Sequence, residues 1–229
     1  MNTFAPTRST PLVISQSVET QVYGLFALAV GLTGVGVWTG MQFLPQLIAM
    51  QFVLLIIELG IVFTAGWWSR QAPLNYLMFG LFPLISGITV APFLLYVTTE
   101  FTNGYSILLN ALAATACMAV AAAVFARTTR WNLGVMGRAL FFAVLGLIIM
   151  GLLQVFIPGL RSTHTELLLS GAGVVIFSLF MAYDIQRIQN LSRVGANPFM
   201  MALSLYLDIY NLFLYVLRFM MALSGNRRN

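Results

Sequence analysis

The chain has 229 residues, 60% of them hydrophobic and only 7% charged, with a mean hydropathy of +0.92. A soluble domain carries about 25% charged residues, so this composition excludes one and predicts an integral protein of the lipid bilayer. The net charge of +5 rests on eleven basic residues, all arginine. Without lysine there is no retinal Schiff base, and arginines at helix ends serve membrane orientation rather than nucleic-acid binding.

The first 21 residues are polar, and a first apolar stretch follows from Val22. It is too long for a signal-peptide core and has no small-residue cleavage site, so it is read as a retained helix. A membrane-crossing helix needs about 20 apolar residues. By that measure seven spans are predicted, at 22–44, 47–68, 74–98, 106–126, 136–156, 167–188 and 199–223. Pro45, Pro73, Asn103-Gly104, Asn132 with Gly134, Pro158-Gly159 and the run Gly195-Ala196-Asn197-Pro198 punctuate them. The organisation is thus a polar segment 1–21, a transmembrane domain 22–223 and a short basic tail 224–229. No connection is long enough for a soluble domain, so function must lie in the bundle, which is expected to work as a monomer. The single cysteine, Cys117, excludes an internal disulfide and is expected to sit in the core. Trp38, Trp67, Trp68 and Trp131 near span ends read as an interfacial belt.

Arg8, Arg70, Arg127, Arg130, Arg138, Arg187 and Arg193 fall at the N-terminus and in the loops after the second, fourth and sixth spans; the opposite loops hold Arg161. The positive-inside rule then places the N-terminus in the cytoplasm, with the Arg227-Arg228 tail as the exception. Leu84-Ile85-Ser86-Gly87 echoes Leu168-Leu169-Ser170-Gly171, which would fit an inverted three-helix repeat followed by a seventh helix.

Two aspartates interrupt the last two spans. Asp184 and Asp208 lie symmetrically about residue 196, inside the turn-forming run. An antiparallel hairpin closed there puts both carboxyls at one depth. One carboxylate near mid-bilayer costs about 2.5–3.5 kcal/mol, and two repel, so a proton or a metal cation belongs between them. Such a pair titrates as a unit. Arg187, three residues beyond Asp184, leaves a plain structural ion pair as the other reading.

On the last span Ser204, Asp208, Asn211, Tyr215 and Arg218 recur at spacings of four, three, four and three, a single helical face that cannot look at lipid. Glu58 sits mid-span in the second helix with Gln51 on the same face and no basic residue at its level. It either lines a watery path with the aspartates or stays a neutral acid donating one hydrogen bond. Arg70 ends that helix, within folding-back distance of the pair or as an orientation anchor. Ser86, Thr89 and Pro92 read as polar packing around a kink, and His164 as a solvated loop residue. One histidine and one cysteine cannot build a transition-metal site. Three intramembrane carboxylates with hydroxyl and amide neighbours are hard oxygen ligands suited to Ca²⁺ or H⁺.

Ala182-Tyr183-Asp184-Ile185-Gln186, followed by Ala202-Leu203-Ser204-Leu205-Tyr206-Leu207-Asp208-Ile209-Tyr210-Asn211-Leu212-Phe213, resembles the C-terminal signature of the Bax inhibitor-1 family. Ser86-Gly87-Ile88-Thr89 and Glu58 are similar to the family pattern as well, and the likeness covers the chain after residue 20. The resemblance implies an all-α bundle of seven transmembrane helices, with two three-helix layers around a central C-terminal helix. It implies a pH-sensitive Ca²⁺ leak in which Asp184 and Asp208 are the pH sensor and a weak Ca²⁺ site, with Arg70 at the place of a latch and Arg187 as a second candidate. Glu58, Ser204, Asn211 and Tyr215 would line the cation path. Short loops resemble the bacterial branch, which implies the cytoplasmic (inner) membrane. No enzymatic activity and no cofactor are expected, with Ca²⁺ and H⁺ as the ions handled.

Two other classes compete. An intramembrane aspartyl protease also carries Tyr-Asp on one helix and Asp on the next, but Tyr206-Leu207-Asp208 lacks the Gly-x-Gly-Asp motif and no Pro-Ala-Leu occurs. A non-catalytic regulator that binds a membrane protease or another membrane partner has no need for two matched carboxyls. An H⁺/Ca²⁺ exchanger uses the same residues as a leak, since coupling needs only competition for the same oxygens.

Overall fold

The computed structural model describes residues 17–225, and these form helices without strands. The tail arginines 227 and 228 and Arg8 lie outside the described residues. Eight α-helices occur: α1 (Val18–Gln42), α2 (Leu44–Phe63), α3 (Ala65–Trp68), α4 (Leu74–Glu100), α5 (Gly104–Thr128), α6 (Gly137–Phe156), α7 (Thr163–Leu191) and α8 (Pro198–Ser224). All but the one-turn α3 are long and apolar enough to cross a membrane, α6 together with the 3₁₀ turn Leu133–Met136 that leads into it. Seven spans are therefore present where the sequence predicts seven.

The short α3 comes from a break at Thr64. Thr64 Oγ1 bonds back to the Gly60 carbonyl at 2.6 Å, and Trp68 Nε1 donates to the Ile61 carbonyl at 2.8 Å. This answers a carbonyl freed by the break and draws the indole inside, where it is 1% exposed. Trp68 is thus not part of the interfacial belt expected for it, whereas Trp38, Trp67 and Trp131 are exposed. Cys117 also corrects an expectation, because it faces outward. In a membrane protein the lipid side of a helix is as apolar as its core side, so hydrophobicity alone cannot place such a residue.

Two trios of helices flank α8. In the first, α4 packs on α1 and on α2; in the second, α7 packs on α5 and on α6. Between them α8 touches α7, α1, α5 and α4. It is among the two most buried spans, while α2 and α6 stand at the periphery. The trios share this plan, but the matched glycines do not share neighbours. A Cβ on Gly87 would run into the backbone of Thr33, Gly36 and Val37 on α1, whereas one on Gly171 would meet the Phe219 ring on α8. The echo between residues 84–87 and 168–171 therefore does not extend to what these segments touch.

Close packing depends on small residues where helices cross, as expected when lipid offers no hydrophobic drive between them. Gly36 and Gly87 let α1 and α4 meet backbone to backbone, and Gly40 fits against Ala91 and the Ile88 carbonyl. On α5 the buried stripe is Ala111, Thr115, Ala119, Ala122 and Ala126. Their spacing of three and four keeps them on one face.

Candidate functional site

The hairpin that carries the aspartates is built by its own turn. After α7 and a 3₁₀ turn, Gly195 adopts the left-handed conformation (φ 72°), and the Ala196 amide reaches back to the Leu191 carbonyl at 3.3 Å. That closes a helix end in the usual glycine-dependent way. Asn197 then caps α8, its Oδ1 accepting from the Phe199 amide at 2.9 Å, with Pro198 in the first turn. Asn197 Nδ2 also donates to the Ser69 carbonyl at 2.9 Å, which ties the turn to the end of the second span.

On the two arms Asp184 and Asp208 face each other. Asp184 is 2% exposed and Asp208 6%, and their carboxyls interact directly. The Ser204 hydroxyl lies against Asp184 from one turn earlier on α8. Arg187 Nη1 stands 3.7 Å from Asp184 Oδ1, with its own side chain 46% exposed. Oδ2 of each aspartate is buried and accepts no hydrogen bond from the described residues. A buried carboxylate oxygen without a donor carries a desolvation cost, and a proton or cation shared by the two groups would relieve it. Asp184 has both neighbours that its two readings call for: Arg187 stands at ion-pair distance and Asp208 faces it across the hairpin. Arg70 is exposed at the end of the second span, and of the two candidate latches only Arg187 is in ion-pair contact with the aspartates.

Beside Arg187 a cavity of about 260 Å³ is lined by Asn132, Gly134, Tyr183, Gln186 and Asn190. Gln186 holds its rim. Its Oε1 accepts from the Leu133 amide at 2.7 Å and its Nε2 donates to the Trp131 carbonyl at 2.9 Å, so one side chain on α7 clips the α5–α6 connection. The sequence reading did not find this role, although Gln186 sits in the quoted signature.

A second polar cluster occupies the opposite face of α8. The Glu58 carboxyl lies beside the Ser86 and Thr89 hydroxyls of α4, with Glu58 Oε1 and Thr89 Oγ1 buried and without a hydrogen-bond partner. Tyr206 shares a hydrogen bond of 2.8 Å with Thr33 of α1, and Tyr210 donates to the Ser86 carbonyl at 2.9 Å. The two tyrosine rings stack at 5.7 Å. Residues 206 and 210 flank 208 at two positions each way, about 200° around the helix, so they point away from the aspartates at the same depth. Glu58 and the aspartate pair thus lie toward different faces of α8. Ser86 and Thr89 are neighbours of Glu58 rather than mere packing around a kink.

Two further residues expected along a cation path have other partners. Asn211 Nδ2 donates to its own helix at the Leu207 carbonyl, 2.7 Å away. Tyr215 stacks on Phe177 at 5.5 Å, over the flat surface left by Gly173. No group of three or more His, Cys, Asp or Glu converges among the described residues. Ca²⁺ takes 6–8 oxygen ligands, more than the aspartate pair with Ser204 presents.

A family profile described as "Inhibitor of apoptosis-promoting Bax1" matches residues 15–226. The chain belongs to the Bax inhibitor-1 family. Among bacterial relatives, an uncharacterized protein of Campylobacter jejuni is 32% identical over 218 residues, covering 93% of this chain and 90% of its own. An uncharacterized protein of Helicobacter pylori is 29% identical, over 86% of this chain and 82% of its own. The inner membrane protein YbhL of Escherichia coli is 28% identical over 93% of both chains. The Bax inhibitor-1 membership rests on the whole transmembrane domain, so both polar faces of α8 lie within the shared region.

Proposed function

We propose that this Bax inhibitor-1 protein is a passive, pH-sensitive Ca²⁺ leak whose open fraction follows the protonation of the Asp184–Asp208 pair. The observation that carries this reading is the pair itself: two buried carboxyls in direct contact, each with one oxygen lacking a donor, at the centre of a seven-span bundle. One shared proton makes a compact unit. Full ionisation makes the two groups repel, attract a divalent cation or pull on Arg187. A change of about 1.4 kcal/mol shifts an equilibrium tenfold, so modest coupling of this charge change to helix position redistributes two packings of the bundle. Asp184, Asp208 and Arg187 form the sensor in this proposal, and Ser204 and Glu58 serve the ion path.

The arginine distribution supports a cytoplasmic α7–α8 turn and N-terminus, and the name of the Escherichia coli relative supports a bacterial inner membrane. The test is Ca²⁺ flux into vesicles reconstituted with the purified protein, measured across pH. Asp184→Asn or Asp208→Asn flattens the pH profile; mutant profiles parallel to wild type would place the sensor elsewhere.

A further inference from the structure

One carboxamide serves two helix ends at the base of α8. Asn197 Oδ1 accepts from the Phe199 amide at 2.9 Å and from the Met200 amide at 3.4 Å, which caps α8. Its Nδ2 donates to the Ser69 carbonyl at 2.9 Å and to the Ser69 hydroxyl at 3.2 Å. Ser69 is the residue that ends α3, where a carbonyl has no later helical amide to accept from. At 2% exposure it is closed to water as well, and a buried carbonyl without a donor is destabilising. Serine or aspartate would cap α8 about as well. Serine is too short to reach Ser69 as well, and an ionised aspartate has no donor, so the amide is needed for the bridge rather than for the cap.

A second contact acts at the same level. Phe199, in the first turn of α8, is 7% exposed and meets the Tyr76 and Phe79 rings of α4 edge-on at 4.9 and 5.8 Å. The base of α8 is thus fixed to α3 and α4. Asp208, eleven residues and about 16 Å further along the helix, faces Asp184 on α7. Where the base sits therefore decides how Asp208 meets Asp184. The charged groups acting on the pair are the two aspartates themselves and Arg187 of α7, with none from α1, α4, α5 or α6 among the described residues. Asn197 and Ser69 are uncharged, so they reach the pair through position and not through a field of their own.

We propose that Asn197 is a positioning residue for the aspartate pair: its bridge to Ser69 sets the placement of α8 against α7, and with it how tightly the pair holds a shared proton. This rests on the reading of the pair as the sensor, and it makes the end of the second span a further point from which that sensor is tuned.

The full-length protein in lipid vesicles is followed across pH by infrared spectroscopy of the protonated-carboxyl band, taken as the part that Asp208→Asn removes. Asn197→Ser keeps the cap and cannot reach Ser69. With the base released the carboxyls separate, repel less and share a proton less well, so the midpoint of the band moves toward acid by about half a unit or more, the scale of one lost hydrogen bond. Ser69→Ala keeps the carbonyl bond and leaves the midpoint in place. Should Asn197→Ser fail to fold, Asn197→Thr also caps a helix and is read in the same way. A purely structural role would lower the unfolding temperature of Asn197→Ser with the midpoint unmoved, and that result overturns the proposal. So does a shift in Ser69→Ala as large as in Asn197→Ser, or a wild type without a titrating band. The band is read without Ca²⁺ flux, so a flux indifferent to pH beside a moved midpoint would strike the leak and leave the positioning role standing.

Discussion

Asp208→Asn should make the protein more stable as pH rises, although it removes a buried residue of the family signature. In the wild type, alkaline conditions set two carboxylates against each other in a buried contact. Two unit charges about 4 Å apart interact with about 4 kcal/mol at an effective dielectric of about 20. Relaxation of the hairpin lowers that figure, and so does Arg187, whose ion pair at 3.7 Å is half open to solvent and contributes at most about 1 kcal/mol. A penalty of about 1–2 kcal/mol therefore falls on the fully ionised wild type and is absent from the Asn variant. The sign is fixed by the charge count. With one proton shared, wild type and variant each hold one negative charge and differ little; once that proton leaves, only the wild type pays repulsion. For a chain of this length about 1 kcal/mol moves the unfolding temperature by roughly 2–4 °C. Thermal unfolding of the detergent-solubilised proteins should show the two curves together at acid pH and separated by a few degrees at alkaline pH, with the variant higher. Curves that stay parallel across pH would mean that the carboxyls do not repel, and the coupled-pair argument would fail with them.

Gln186→Ala removes both hydrogen bonds that clip the α5–α6 connection; hydrogen exchange of residues 131–134 should accelerate by about tenfold or more, at about 1 kcal/mol per bond, with α8 unaffected. Gly87→Val forces side-chain atoms into the α1 backbone, so loss of about 1–3 kcal/mol or failure to fold is expected, read from the yield of monodisperse protein. Glu58→Gln preserves the shape of the second polar cluster while fixing its charge at zero; Ca²⁺ flux should fall with the pH profile keeping its form, and unchanged flux would remove Glu58 from the ion path.

The seven spans and the aspartate hairpin were legible because each depends on local signals. Apolar run length marks the spans, and Gly195, Asn197 and Pro198 each do in the turn what their backbone chemistry favours. Symmetry about that turn then placed Asp184 beside Asp208. What stayed hidden depended on which side of a helix faces protein. Cys117 and Trp68 sit in equally apolar stretches, yet one faces outward and the other is enclosed. Glu58 could be paired with the aspartates by depth alone, because depth follows from counting residues. Its assignment to the other face of α8 needed the crossing of α2, α4 and α8, which no local pattern encodes. Tyr206 and Tyr210 were overlooked for the same reason, since they lie outside the stripe that begins at Ser204. Arg70 and Arg187 were both candidates for a cation near the pair, and it took tertiary packing to show that Arg187 stands at ion-pair distance from Asp184.

The division of charge across α8 has a mechanical consequence. Asp208 contacts the second trio of helices through Asp184, while two residues to either side Tyr206 and Tyr210 bond to Thr33 and Ser86 of the first. Because all three positions lie at nearly one depth, a rotation or shift of α8 that separates the carboxyls also displaces both tyrosine hydroxyls. Each of those bonds contributes about 1 kcal/mol when intact, comparable to what ionisation of the pair can supply. In the proposed leak neither side would then dominate, and the balance would be tipped from either face. Tyr206→Phe removes the bond to Thr33 without touching the aspartates, so it should move the midpoint of the flux–pH profile while leaving its steepness unchanged. Loss of pH response in that variant would instead mean that Tyr206 belongs to the sensor itself.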